Sequence, residues 1–273
     1  MRYLSSMKWA GIMTVVCSFL HFSNTSQAAS SVLAGWDLFQ TDSGGTTFMG
    51  QAFAGVPLGN FDFGGSIGLK PVGQTDTIVQ RLGGSSAPGP LPNVPIEMLA
   101  LQLMSVAPFD PPGALPLATY FITLQSSHGG PASSGNIQVT FGAEGANHGT
   151  FDSLLDVYFD LRIGALNGPI VFSDHLGLFG DDSQWGHTAP PGAVQIDGVN
   201  HNLNGLNTNN DFMPFIVMES HPSGAMHTAG PAQQFPPPPI PFGFSPGMGL
   251  ALCSGLVGLG HLRRKLACRR SAA

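Results

Sequence analysis

The chain has 273 residues, among them 37 glycines, 23 prolines, 10 basic and 16 acidic side chains. Charged residues make up 10% against a usual ~25% in soluble domains, which excludes a chain kept disordered by its charge. The apolar content of 42% is enough for a core, and the abundance of glycine and proline favours turns over long helices.

The first eight residues carry Arg2 and Lys8 and no acid, residues 9–22 (WAGIMTVVCSFLHF) are apolar, and small polar residues ending SNTSQAAS follow. That order predicts a secretory signal peptide over residues 1–28. Cleavage after Ala28 sets Ser26 and Ala28 in the two small-residue positions. The 14-residue apolar run is shorter than the ~20 residues that span a bilayer.

Strand signals then recur along the chain. Residues 76–82 (DTIVQRL) alternate apolar and polar. Residues 94–106 (VPIEMLALQLMSV) are more continuously apolar, which suits either a buried central strand or a short helix. Residues 120–124 (YFITL) read as a buried strand and residues 136–141 (NIQVTF) as an alternating one. In residues 151–163 (FDSLLDVYFDLRI), Phe151, Leu155, Val157, Phe159, Leu161 and Ile163 oppose Asp152, Asp156, Asp160 and Arg162; period two means a long strand with one wet face. Asp197-Gly198 between AVQI and VNHNL suits a hairpin turn, and residues 215–218 (FIVM) read as a last strand. Eight to ten strands without a capped helical stretch predict an all-β, antiparallel β-sandwich over residues 29–223 with long Gly/Pro-rich loops. Residues 224–239, ending in four prolines, read as a stalk.

Candidate chemistry is sparse. Residues 200–211 (NHNLNGLNTNND) place Asn200, Asn202, Asn204, Gly205 and Asp211 at positions 1, 3, 5, 6 and 12 of a calcium-loop template. With Asn at position 1 and a single carboxylate, any calcium affinity is weak, and an asparagine-rich turn competes as a reading. No other cofactor is expected. Asp174, His175, Asp181, Asp182, His187 and His201 form the densest polar group, with the residue types for general acid–base work or zinc but no spacing that fixes a ligand set. Gly64 to Gly68 (GGSIG) matches a nucleophile elbow in letters, yet Lys70-Pro71 follows too closely for the helix an elbow needs. Asp152, Asp156 and Asp160 lie ~13 Å apart in a strand, too far for a glycosidase pair, and read as a solvated face. Trp36 and Trp185 read as packing residues, with a glycan platform as the alternative.

Between Asp37 and Glu219 lie all 16 acids but only Lys70, Arg81 and Arg162 among the basic residues, a net of −13. That balance excludes nucleic acid as the natural partner. Cys17, Cys253 and Cys268 all fall in the terminal segments, so the body can use neither disulfides nor thiolate chemistry.

Residues 240–273 mirror the N-terminus. IPFGFSP precedes an apolar run over residues 247–262, then Arg263, Arg264 and Lys265. Sixteen helical residues reach about 24 Å, a short span for a hydrocarbon core of ~30 Å; the positive-inside rule leaves the basic cluster cytoplasmic and the body outside. On Pro241, Phe242, Phe244, Ser245 and Pro246, followed by the apolar run and basic stop, this tail resembles the PEP-CTERM type of bacterial C-terminal sorting domain, more closely its PFE variant, with Gly243 where that variant has glutamate. The resemblance implies recognition and processing by an exosortase-like enzyme and transient anchoring in the inner membrane by a short transmembrane sorting helix. The expected protein is exported to the cell surface or extracellular matrix, structural or adhesive and not enzymatic, with extracellular polysaccharide as a candidate partner. The alternatives are a secreted hydrolase acting through the Asp174 to His201 region and a carbohydrate- or calcium-binding module.

Overall fold

The computed structural model describes residues 31–86, 93–113, 115–142, 148–196 and 212–234. A two-stranded ribbon pairs β1 (Ser31–Val32) with β8 (Ser85–Ser86), and nearly everything else is one antiparallel sheet of eight courses. The first course is β2 (Gly35–Thr41) continued by β3 (Thr47–Phe48), and the second is β4 (Gln51–Gly55) continued by β7 (Thr77–Arg81). Between β4 and β7 the chain leaves the sheet to form a hairpin of β5 (Asn60–Asp62) and β6 (Leu69–Pro71). The third course is β9 (Asn93–Ser105), and the fourth is β10 (Tyr120–Leu124) continued by β11 (Ser133–Phe141). The fifth and sixth are the long strands β12 (His148–Ile163) and β13 (Ile170–Gly186). Then come β14 (Met213–Pro214) with β15 (Val217–Ser220), and finally β16 (Met226–Pro231).

Each course pairs with its neighbours in sequence, and the last returns to the first: Ala229 opposes Thr41, Gly230 opposes Gln40 and Met226 opposes Thr47. The sheet therefore closes into an eight-stranded up-and-down antiparallel barrel, an architecture with no free edge. This corrects the expected β-sandwich while keeping its all-β, antiparallel character. Alternation is the same in both; the difference lies in the pairing of β16 with β2. That strand also corrects the expected stalk boundary, since residues 226–231 form a barrel course and Ala232 is buried behind it.

The alternating strands over residues 76–82, 136–141 and 151–163 and the buried strand over 120–124 stand where they are expected, and residues 94–106 resolve as strand β9 and not a helix. The expected strand at 215–218 starts two residues later. Of the hairpin expected around Asp197-Gly198, Ala193 makes a single bridge to Gln233, and the turn and its second half lie outside the described residues. Among the described residues no helix is long and apolar enough to cross a membrane.

Inside the barrel, Phe53, Ile96, Leu103, Ile122, Val139, Leu155, Val157 and Phe159 pack into the main core. Each such side chain contributes about 1.5–3 kcal/mol by leaving water. One arc of the outer wall is covered as well: Leu38 and Ile78 face outward and are buried by Phe63 and Val72 of the β5–β6 excursion and by Val194 and Ile196. Trp36 meets Phe63 edge-on at 5.7 Å in this second core. Under it β9 bulges, Ile78 opposing Ala100 while Val79 opposes Met98, so that Leu99 and Ala100 both pack outward.

Elsewhere the outer wall is wet, with Asp152 and Asp156 exposed along β12. A mainly apolar lumen with an acidic exterior is the reverse of the polarity of a membrane barrel with a polar interior.

Candidate functional site

The lumen carries a polar chain where two courses break at the same level. Between β2 and β3, and between β4 and β7, the ladder lapses, and Asp76 takes over. Its carboxylate accepts from Thr41 N (2.8 Å), Thr41 Oγ1 (2.7 Å) and Thr77 Oγ1 (2.8 Å). Gly55 is required beside it, because a Cβ there would collide with the Asp76 carboxylate. With its hydrogen given to Asp76, the Thr41 hydroxyl accepts from His227 Nε2 at 3.3 Å. His227 Nδ1 faces Glu219 Oε2 at 3.7 Å, and Ser153 Oγ donates to Glu219 Oε1 at 3.0 Å. Burial pushes the Asp76 carboxyl above the usual range, opposed by the Thr41 and Thr77 bonds and by the charge of His227.

Two lumenal cavities of about 50 and 40 Å³ flank this chain, with Met98 and His227 lining both. Each has room for a few waters at most. At one end Arg81 seals the lumen. Its Nε and Nη2 grip Asp37 at 2.7 and 3.0 Å, Nη1 donates to the Leu33 carbonyl, and its guanidinium lies 4.7 Å from the centre of the Phe212 ring. Burial raises the Asp37 carboxyl more than Arg81 lowers it.

The roomy space is outside. Where β10 gives way to β11 the fourth course leaves the sheet through a 3-10 turn (Gln125–His128), ended by Gly129 in the left-handed region at φ 90°. That excursion and the turn between β12 and β13 wall a cleft of about 450 Å³, lined by Leu99, Gln102, Thr123, His128, Arg162 and Asn167, among others. Beneath its cationic side lies Asp160, fully buried although it sits on the outer face of β12. Asp160 accepts from Ser173 Oγ (2.6 Å) and Arg162 Nη2 (3.3 Å) and contacts His128 Nε2. Arg162 also donates from Nε to Thr123 Oγ1 (2.9 Å) and from Nη1 to the Gly168 carbonyl (3.1 Å). A guanidinium has five N–H groups, so two remain without a partner among the described residues, on a side chain that lines the cleft and is 13% exposed. The Thr123 hydroxyl, accepting from Arg162, keeps its hydrogen to donate.

Asp160 thus departs from the expected solvated face, while Asp152 keeps to it, accepting only the Asp182 N–H at 2.9 Å. Asp174, His175, Asp181 and Asp182 are not brought together as one group: all lie along β13, with His187 just past its end, and within the set Asp174 meets its neighbour His175 at 3.8 Å on the exposed wall. Asp174 and His187 are about 40 Å apart along that course. His175 stacks on Tyr158 at 5.2 Å, and buried His187 meets Trp185 edge-on at 5.0 Å. Trp185 is itself fully buried, so it offers no face to a glycan. The GGSIG stretch is the tight turn of the β5–β6 hairpin, with positive φ at Gly64, Gly65 and Gly68. Ala28, Asn200, His201, Asn202, Asn204, Asp211, Pro241, Phe242, Phe244, Ser245, Pro246, Arg263, Arg264 and Lys265 lie outside the described residues. Among the described residues, no group of three or more His, Cys, Asp or Glu side chains is arranged to hold a metal.

The cleft residues Gln102, Thr123, His128, Arg162 and Asn167 come from three separate stretches of chain, so no local motif announces them. The one available signal is the scarcity of cations: Arg162 is one of three basic residues in the body, two positions from Asp160 on the same strand face. No family model, no curated protein and no solved structure matches the chain.

Proposed function

We propose that the chain is an exported, non-enzymatic surface or matrix protein: a rigid barrel sent out by its N-terminal signal and held briefly at the inner membrane by its PEP-CTERM-like tail. An exosortase-like enzyme processes that tail, and the barrel works through its outer surface. The observation that carries this reading is the inversion between lumen and wall. Polar groups in the lumen bond to one another around cavities of about 50 and 40 Å³, too small for a substrate. The cleft and the acidic wall face outward. An exposed apolar strip supports an adhesive role: Leu154 opposes Phe179 across β12 and β13, and Met218 lies nearby on β15. Contiguous exposed apolar surface of this kind marks contact with another molecule. A calcium-binding loop over residues 200–211 would add a weak second contact.

Cell fractionation with mass measurement of the mature species tests this. The expected product lacks residues 1–28 and has a processed C-terminal tail in an envelope or extracellular fraction; full-length chain confined to the cytosol overturns the proposal.

A further inference from the structure

We infer that the outer cleft binds a small polyol bearing a carboxylate, with Arg162 taking the carboxylate and the Gln102 and Asn167 amides taking the hydroxyls. At about 450 Å³ the cleft falls within the range of small-molecule sites, roughly 300–1,000 Å³. Its polar lining is unbalanced. Arg162 carries only donors, and two of its N–H groups are not used by Asp160, Thr123 or Gly168. The Thr123 hydrogen adds a third free donor. A surface with surplus donors selects a group that only accepts, and a planar guanidinium fork matches a carboxylate with two parallel bonds.

The rim has different chemistry. The amides of Gln102 and Asn167 engage no partner among the described residues, and an amide both donates and accepts, as a hydroxyl does. Leu99 and Leu166 offer apolar contact for the C–H edges of such a molecule. Among the body's other cations, Arg81 is sealed on Asp37 and Lys70 sits on the β5–β6 hairpin. The cleft is therefore where a cation and a concavity coincide among the described residues. No Phe, Tyr or Trp ring lines it, so recognition rests on hydrogen bonds and charge and weakens with salt.

The same chemistry occurs in a free sugar acid and in a uronate residue at the end of an acidic polysaccharide. The inference goes beyond the export reading and can fail separately from it: fractionation tests the address, titration the cleft. Calorimetric titration of the isolated protein with glucuronate, glucose and trigalacturonate is the experiment. Glucuronate is expected to bind in the millimolar range or tighter and glucose about tenfold more weakly, the loss of one charge-assisted contact. Arg162→Lys, which keeps the charge but not the fork, is expected to weaken glucuronate about tenfold. Should that variant unfold by unsettling Asp160, the double variant Gln102→Ala with Asn167→Ala, which changes only rim residues, is expected to bind several-fold more weakly at an unchanged Tm. Tighter binding of trigalacturonate supports the polymer end as the source, and equal binding supports the free acid. No binding of either acid, equal binding of glucose and glucuronate, or undiminished binding by the rim variant overturns the inference.

Discussion

Arg81 and Arg162 each rest on a buried aspartate, but one is sealed into the barrel's end and the other faces open space. Around Arg81, the Asp37 carboxylate, the Leu33 carbonyl and the Phe212 ring close every side, and none of the side chain is exposed. Arg162 shares Asp160 with His128 and Ser173, and 13% of its side chain is exposed. Identical functional groups thus do two jobs. Where the donors of the arginine meet the barrel wall the pair is structural, and where two of them meet a cleft the pair becomes a receptor. The Asp76 chain belongs with the first kind, since its acceptors and donors satisfy each other within the lumen.

The contrast is broken most severely at the sealed pair. Arg81→Ala leaves the Asp37 carboxyl buried without its partner and is expected to lose about 3–5 kcal/mol in urea unfolding. Arg81→Met combined with Asp37→Leu removes both groups while filling the space, so it should recover most of that loss. A double variant as unstable as the single one would show that the pair matters for something other than its charge. Next in size, Asp76→Ala strips the acceptor from Thr41 N and from two hydroxyls, an expected loss of about 3 kcal/mol by the same measurement. Gly55→Ala forces a methyl into the Asp76 carboxylate and should lower stability by about 1–3 kcal/mol.

A smaller effect is expected from pH. The folded Asp76 carboxyl is held above its ordinary value of 3.8, so the folded chain binds a proton the unfolded chain releases. The stabilisation is full below that ordinary value and is lost as pH rises through the raised one. Unfolding free energy should therefore fall with rising pH in that window. Asp76→Asn should flatten the fall in part, the remainder belonging to Asp37, whose shift has the same sign. Smallest of all, Asn167→Ala at the cleft rim should change stability by less than about 0.5 kcal/mol in thermal unfolding; a large loss there would make the cleft structural too.

How much of this was legible in sequence varies from strand to strand. β12 was plain because its inner residues are apolar, Ser153 excepted, and most of its outer ones face water. β9 was ambiguous because the bulge at Leu99 and Ala100 interrupts the alternation, and because the second core covers its outer side there. β13 was missed: Gly177, Gly180 and Asp182, the last at φ 49°, break its pattern. β16 passed for a stalk because MHTAGP carries few apolar residues, its inward places being His227 and Ala229 beside Glu219. Closure of the barrel was beyond alternation altogether, since it depends on which strand meets β2. The cleft was illegible for a related reason: it exists only because β10 and β11 share one course and the link between them is pushed outward.

The most direct test of the division between sealed lumen and receptive wall is an amide chemical-shift titration of the isolated protein with glucuronate. Shifts confined to residues 99–102, 123–128 and 162–168 are the predicted result. Shifts centred on Ser153, Glu219 and His227, with the cleft residues unmoved, would contradict it.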